Sequence, residues 1–132
     1  LCKCSLAQWL DENREASTRI LHQIKTWFTQ IVAAVAYIHE EGLIHRDLKP
    51  GNILITDENV LKLCDLGVAT SRRLEDGLTT CRTHTNIGTD LYMSPENNGL
   101  YAKYSSKTDI FALGLIVTEL CVVISLEERI QV

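Results

Sequence analysis

The spacing of apolar residues predicts a long helix in the first third of the chain. Apolar residues recur there every three or four positions, the period of a helix that buries one face. They are Ile20, Ile24, Phe28, Ile31, Val35 and Ile38. Gly42 follows the helix, where a residue with left-handed backbone is expected. A shorter helix is predicted before it, because Ser5 and Gln8 have the spacing of a capping box.

A third helix is predicted near the end of the chain, over residues 109–120, with Ser105 or Ser106 as its cap. It is apolar almost all round, as expected of a helix in the middle of a domain. The apolar stretch 110–124 is interrupted by Thr118 and Glu119 and is too short to span a bilayer.

Between the second and third helices, two short β-rich runs at 53–56 and 60–64 are joined by polar residues and predict a hairpin. The polar stretch 65–96 that follows has no clear periodicity. Long connections of this kind within a compact domain usually contain functional residues or are mobile.

Composition narrows the class of protein. The 132 residues suffice for one compact domain, and 45% of them are hydrophobic. A formal charge of −4 argues against a general nucleic-acid or anionic-membrane binder. Five scattered cysteines without paired metal-ligand spacing indicate free thiols in a reducing compartment. With no signal peptide recognised at the N-terminus, we expect a cytoplasmic protein or a cytosol-facing domain.

The strongest chemical signal is the stretch His-Arg-Asp-Leu-Lys-Pro-Gly-Asn at residues 45–52. It puts the carboxylate of Asp47, the amine of Lys49 and the amide of Asn52 on one short loop. Phosphoryl transfer needs such a set: an acceptor for a hydroxyl proton, a cation for the migrating charge and an oxygen ligand for magnesium. Each residue alone is also an ordinary turn former, but the eight in this order favour the catalytic interpretation.

Three further landmarks follow the loop in order: Asp-Leu-Gly at 65–67, Ser-Pro-Glu at 94–96, and Asp109 at the start of the last helix. With the loop, they resemble the C-terminal lobe of a eukaryotic Ser/Thr protein kinase. The resemblance implies an α+β fold, mainly helical, with a short β-hairpin beside the catalytic loop. It also implies that residues 1–132 are a partial kinase domain, from the hinge to the first large buried helix, without the N-terminal lobe.

A finer resemblance is to the kinases of the alpha subunit of translation initiation factor 2. It rests on Ile44 to Pro50, on residues 88–96 with Ser94 where most kinases carry Ala, and on residues 109–115. It implies ATP and Mg²⁺ as cofactors and that alpha subunit as a candidate protein substrate. The net charge and the short apolar stretch predict no direct nucleic-acid binding and no membrane segment in this chain. The resemblance allows dimerisation through the absent N-terminal lobe.

The resemblance also assigns roles to individual residues. It implies that Asp47 is the catalytic base and that Lys49 steadies the γ-phosphoryl group. Asn52 and Asp65 would hold magnesium against the nucleotide. Nucleotide contacts are implied for the two remaining positions, Leu54 under the adenine ring and Cys2 in the hinge.

Other positions are implied to be regulatory or structural. Arg46 would bind a phosphate placed on the polar loop, with Thr83 and Thr85 as candidate phosphorylation sites and Thr89 near the substrate hydroxyl; a merely solvated threonine-rich loop is the alternative. Gly67 would free the backbone after Asp65. Structural roles are implied for two acidic residues, Glu96 and Asp109, the latter holding the catalytic-loop backbone.

One position departs from the family. Leu66 stands where most members carry Phe, and we expect it to keep an apolar plug beside His45.

Two alternatives to a kinase remain open at this point. A chain without the N-terminal lobe is also compatible with a non-catalytic, pseudokinase-like interaction module, or with an incomplete polypeptide without function of its own. We expect the kinase interpretation to hold for a longer parent protein and the isolated 132 residues to be inactive.

Overall fold

The computed structural model describes residues 1–66, 70–71, 90–95 and 105–122. Three helices and five short strands make up most of this part of the chain. In chain order they are β1 (Cys2–Ser5), α1 (Leu6–Glu12), α2 (Leu21–Glu40), β2 (Leu43–Ile44), β3 (Ile53–Thr56), β4 (Leu61–Leu63), β5 (Thr70–Ser71) and α3 (Ser106–Cys121). The mixture of helix and sheet agrees with the expected α+β class.

The helix boundaries follow from local chemistry. Ser5 and Gln8 form the expected capping box at the start of α1. Ser105 caps α3, and its side chain accepts a hydrogen bond from the backbone of Lys107. Gly42 after α2 has a φ of 77°, which confirms the prediction of a left-handed residue there. None of the helices in the described ranges is long and apolar enough to cross a membrane.

The predicted hairpin is present, but it belongs to a larger sheet. Strands β3 and β4 pair antiparallel, and β1 adds to the other edge of β3, giving the order β1-β3-β4. Sequence reasoning missed β1 because its four residues have no clear alternation. A register shift interrupts the β1–β3 pairing between Cys2 and Cys4. Strands β2 and β5 form a separate two-stranded sheet.

The core lies where the buried face of α2 meets α1, the three-stranded sheet and α3. Trp27 is 1% exposed, and its ring meets that of Trp9 edge-on, with centroids 4.9 Å apart. Such edge-to-face contacts are favourable for aromatic rings. The α2 side of the core is completed by Ile24, Ile31, Val35 and Ile38, four of the periodic positions.

Two polar side chains of α2 fix the hairpin through its backbone. The indole nitrogen of Trp27 donates to the carbonyl of Asn59 at 2.9 Å. The side-chain oxygen of Gln30 accepts from the amide of Leu61 at 2.8 Å. Asn59 has a φ of 61°, so the turn is tight. The helix therefore sets the position of β4 and of the residues that follow it.

Arg19, just before α2, binds the far end of α3. Its guanidinium donates to the carbonyls of Glu119, Leu120 and Val122. The last carbonyls of a helix lack partners within the helix and carry partial negative charge, so a cation there is stabilising. The same guanidinium lies 5.8 Å from the centroid of the Trp9 ring.

We expect Arg19→Ala to lower the free energy of unfolding by about 2 kcal/mol, because several hydrogen bonds from a charged donor are lost. Arg19→Lys should recover part of this, since lysine keeps the charge but not the fork of donors. Thermal unfolding of the complete natural polypeptide that carries this chain would measure both.

The matched control is Arg14→Ala, which breaks only the pair between Arg14 and Asp11, two side chains that are 74% and 68% exposed. Exposed pairs contribute little to stability. Equal unfolding temperatures for Arg19→Ala and Arg14→Ala would contradict the role of Arg19 as the cap of α3.

Candidate active site

The loop after β2 brings three polar side chains together. The amine nitrogen of Lys49 lies 3.3 Å from Oδ2 of Asp47. The amide nitrogen of Asn52 donates to the backbone carbonyl of Asp47 at 2.7 Å and lies 3.3 Å from its Oδ2. Pro50 begins a single 3₁₀ turn, Pro50–Asn52, that closes the loop. The carboxylate of Asp47 is thus flanked by a cation and an amide, and it remains about a quarter exposed.

Asp65 is carried to this loop by the hairpin. The backbone amide of Cys64 donates to the carbonyl of Asn52 at 2.9 Å, which ties the end of β4 to the end of the loop. Asp65 itself is exposed and has a φ of 62°, a left-handed conformation that Asp tolerates better than most residues. The residue directly before Asp65 is thereby fixed to Asn52, which lies thirteen positions before Asp65 in the chain.

Asp109 of α3 holds the backbone of the same loop. Its Oδ2 accepts from the amide of His45 at 2.9 Å, and its Oδ1 accepts from the amide of Arg46 at 3.0 Å. The side chain is 1% exposed and lies in the first turn of α3, where the helix favours negative charge. Arg46 has a φ of 72°, which is uncommon for a residue with a long side chain.

His45 links the loop to the residue before Asp65. Its ring is fully buried, and Nδ1 accepts from the amide of Asp47 at 3.3 Å. Its Nε2 lies 3.0 Å from the carbonyl of Cys64. A carbonyl can only accept, so Nε2 carries the proton and donates to it. The His45 ring thus joins the two halves of the site.

The two residues expected to contact a nucleotide base lie on neighbouring strands. Ile53 and Ile55 of β3 point into the core and are each 1% exposed, so Leu54 between them faces the other side of the sheet. Leu54 pairs with Ser5 of β1, and Cys2 lies on the same strand beyond the register shift. Bulges of this kind are common beside active sites.

Five of the residues singled out in the sequence lie outside the described residues. They are Gly67, Thr83, Thr85, Thr89 and Glu96. Leu66 is described, and it differs from expectation: its side chain is 45% exposed rather than an apolar plug beside His45.

Sequence reasoning assigned no functional role to His39. The side chain is 12% exposed, and its Nε2 lies 2.7 Å from Oδ2 of Asp109. A signal was available, because His39 follows Val35 by four positions and therefore shares the buried face of α2. Its partner, 70 positions away, could not be read from the chain.

The pKa of the Cys64 thiol is raised above its ordinary value. Burial is the largest cause, because a thiolate loses solvation there. The negative charge of Asp65 adds to the effect, and Cys2 contributes least. The thiol also donates to the carbonyl of Asn52 at 3.2 Å. Cys64 is therefore a protonated, weakly reactive thiol at neutral pH.

The donors present suit magnesium bound together with a phosphate ligand. Within the described ranges, no three His, Cys, Asp or Glu side chains cluster closely enough to cage a metal ion. Magnesium seldom needs such a cage, since it commonly takes one or two protein oxygens, with phosphate and water completing an octahedron. Asp65 and the amide oxygen of Asn52 are of this kind.

A sequence profile of the protein kinase domain matches residues 1–128. The chain belongs to the protein kinase domain family. The kinase resemblance drawn from the loop and its three landmarks is thereby confirmed.

Among related kinases, the rat interferon-induced, double-stranded RNA-activated protein kinase is 46% identical over 119 residues, covering 89% of this chain. The eukaryotic translation initiation factor 2-alpha kinase pek-1 of Caenorhabditis elegans is 37% identical over 96% of the chain. Eukaryotic translation initiation factor 2-alpha kinase 3 of the rat is 41% identical over 91%. The finer resemblance is confirmed as well. The chain spans 22%, 13% and 12% of these three kinases' own lengths.

In this kinase domain, Asp65→Asn should shift the pH dependence of Cys64 alkylation to lower pH, because one of the causes that raise the thiol pKa is removed. At about pH 8.5, near the ordinary pKa of a cysteine, the variant thiol should react faster than the wild type. Alkylation is carried out in chelator-containing buffer, and mass spectrometry of the Cys64 peptide measures the alkylation rate.

Asp57→Asn on the hairpin turn is the control, since it removes an equal charge elsewhere. An unchanged profile in Asp65→Asn would show that the carboxylate does not act on the thiol.

Proposed function

We propose that this chain is part of the catalytic C-terminal lobe of a Ser/Thr protein kinase, which transfers the γ-phosphoryl group of Mg-ATP to a protein hydroxyl. The observation that carries the proposal is the position of Asp47. One of its carboxylate oxygens lies 3.3 Å from both the amine of Lys49 and the amide of Asn52. A carboxylate held in this way can meet a hydroxyl that approaches from solvent.

Asp47 is the proposed base. Its carboxylate orients the substrate hydroxyl and accepts its proton as the oxygen attacks. Lys49, on the same loop, is proposed to stabilise the charge that spreads over the migrating phosphoryl group. Because the amine lies 3.3 Å from the carboxylate of Asp47, a hydroxyl bound by that carboxylate would attack a phosphoryl group next to the cation.

Asn52 and Asp65 are the proposed magnesium ligands. When bound, the metal neutralises charge on the nucleotide phosphates. The amide nitrogen of Asn52 points to Asp47, which leaves the amide oxygen as its metal-binding atom. For the nucleotide base, Leu54 and the backbone of Cys2 are the proposed contacts.

The remaining sequence assignments complete the proposal. Residues 1–132 are proposed to be part of a kinase domain, whose N-terminal lobe with its phosphate-binding elements would belong to the parent protein. Phosphorylation at Thr83 or Thr85 is proposed to engage Arg46, since a phosphate offers a dianion to a guanidinium fork. Thr89 is proposed to lie near the substrate hydroxyl, with Gly67 and Glu96 in structural roles.

The alpha subunit of translation initiation factor 2 is the proposed substrate. Two relatives that each match more than nine-tenths of this chain are named as kinases of that protein. The proposal rests on this kinship, because fold alone does not determine the substrate of a kinase.

Asp47→Asn should lower the rate of phosphoryl transfer by about 10²- to 10⁴-fold, the usual contribution of a positioned base. The assay follows labelled phosphate from ATP to the initiation factor alpha subunit, with the complete natural polypeptide as enzyme. Asp57→Asn is the matched control, because it makes the same change on an exposed turn. Its rate should equal that of the wild type.

Equal rates in Asp47→Asn and the wild type would overturn the assignment of the base. Absence of transfer by the wild type to any protein acceptor would favour the non-catalytic interaction module. Transfer to a generic acceptor but not to the initiation factor would remove only the proposed substrate.

Asp65→Asn should raise the Mg²⁺ concentration needed for half-maximal rate by about tenfold or more, because one anionic ligand becomes neutral. A magnesium titration at constant Mg-ATP measures the shift. Asp57→Asn again provides the control, and an unchanged requirement would contradict the assignment of Asp65.

A further inference from the structure

The first residue of β4 directs its backbone amide away from the sheet. In an antiparallel pair, alternate residues turn their backbone groups towards the partner strand. The carbonyl of Val60 accepts from β3 at 2.9 Å, and the amide of Cys64 donates to the carbonyl of Asn52, also at 2.9 Å. Val60 and Cys64 therefore face β3, and Leu61 faces the other side. That side is an edge of the sheet in the described part of the chain, because β4 is the last strand in the order β1-β3-β4.

Gln30 of α2 binds this edge amide. Its side-chain oxygen accepts from the amide of Leu61 at 2.8 Å. Three positions earlier, on the same face of the helix, the indole of Trp27 donates to the carbonyl of Asn59 at 2.9 Å. One side chain thus accepts from the hairpin and the other donates to it, at backbone groups two residues apart. Two bonds of opposite polarity hold the hairpin against both sliding and rotation relative to α2.

The two anchors differ in what else holds them. Trp27 is 1% exposed and belongs to the core, so its replacement would disturb packing as well as the hydrogen bond. Gln30 is half-buried, and a side chain of similar length and shape can replace it without leaving a cavity. Gln30 is therefore the position at which the hydrogen bond to β4 can be removed by itself.

The position of β4 matters for the metal site because Asp65 follows it closely. The strand is three residues long, Leu61–Leu63, and Asp65 is the second residue after it. A strand this short at the edge of a sheet has few bonds of its own to fix it. Magnesium demands near-ideal octahedral geometry from its ligands, so a small displacement of Asp65 relative to Asn52 weakens binding.

We propose that Gln30 is a positioning residue for the magnesium ligand Asp65, acting through the backbone of β4. The proposal rests on the proposed kinase function for its catalytic readout. Gln30 lies on α2 and is not itself one of the proposed ligands. Loss of its acceptor should therefore raise the Mg²⁺ concentration needed for half-maximal rate and leave kcat at saturating Mg²⁺ nearly unchanged.

The test compares Gln30→Met with Gln30→Glu in the complete natural polypeptide. Both replacements keep the length of the side chain, and only glutamate keeps an oxygen that accepts from the amide of Leu61. We expect the Met variant to need about threefold more Mg²⁺, as the loss of an ordinary hydrogen bond implies, and the Glu variant to need about as much as wild type. Gln23→Met is the matched control. It makes the same change two turns earlier on α2, at a half-buried glutamine with no hydrogen bond to the hairpin, and should match wild type.

Amide hydrogen exchange gives a second readout that needs neither activity nor metal. Protection of the Leu61 amide should fall about tenfold in Gln30→Met, because its acceptor is lost, and should not change in Gln23→Met. Protection of the Cys64 amide should fall with it, since the loosening must reach the residue before Asp65. If the wild type transfers no phosphate, the proposed function fails, and exchange at Cys64 still tests the role of Gln30.

A third measurement covers the case in which the Met variant does not fold. In the unmodified protein, the amide of Leu61 should exchange as slowly as that of Cys64, although it lies on the edge side of β4. Fast exchange at Leu61 would overturn the proposal. So would an equal Mg²⁺ requirement in Gln30→Met and Gln23→Met, or a loss of protection that stops at Leu61.

Discussion

The described structure depends on one buried carboxylate. Asp109 sits in the first turn of α3, almost without contact with solvent, and its oxygens accept from His39 and from the backbone amides of His45 and Arg46. Burial makes each of these bonds obligatory, because an unpaired charge in the interior would cost more than the bonds contribute. Helix α3, helix α2 and the loop that contains His45 and Arg46 are therefore held together by this carboxylate.

From this carboxylate, hydrogen bonds lead to both halves of the candidate active site. The ring of His45 hydrogen-bonds the carbonyl of Cys64, and the amide of Cys64 hydrogen-bonds the carbonyl of Asn52 at the end of the loop. Asn52 then bonds Asp47, two residues after His45. These contacts form a closed network, so Asp47 and the end of the hairpin are fixed by the same set of hydrogen bonds. Closed networks of this kind preorganise polar groups for chemistry.

Helix α2 positions the elements that form this hydrogen-bond network. Its apolar face forms the core, and two of its side chains, Trp27 of the core and Gln30, hydrogen-bond backbone groups of the hairpin. The residues at its two ends bind the two ends of α3, with Arg19 at the C-terminus and His39 at the N-terminus. Apolar burial supplies the driving force, and these directional bonds select the register in which the elements meet.

The sequence alone determined the local features. Apolar periodicity, capping residues and the Gly42 stop located the helices to within a few residues, since each depends on neighbours in the chain. The loop motif and its landmarks identified the family, because its chemistry is concentrated in eight consecutive residues. Only the tertiary structure decided the pairing of β1, the outward position of Leu66 and the partner of His39. These depend on groups far apart in the chain, and packing selects them only after the local elements have formed.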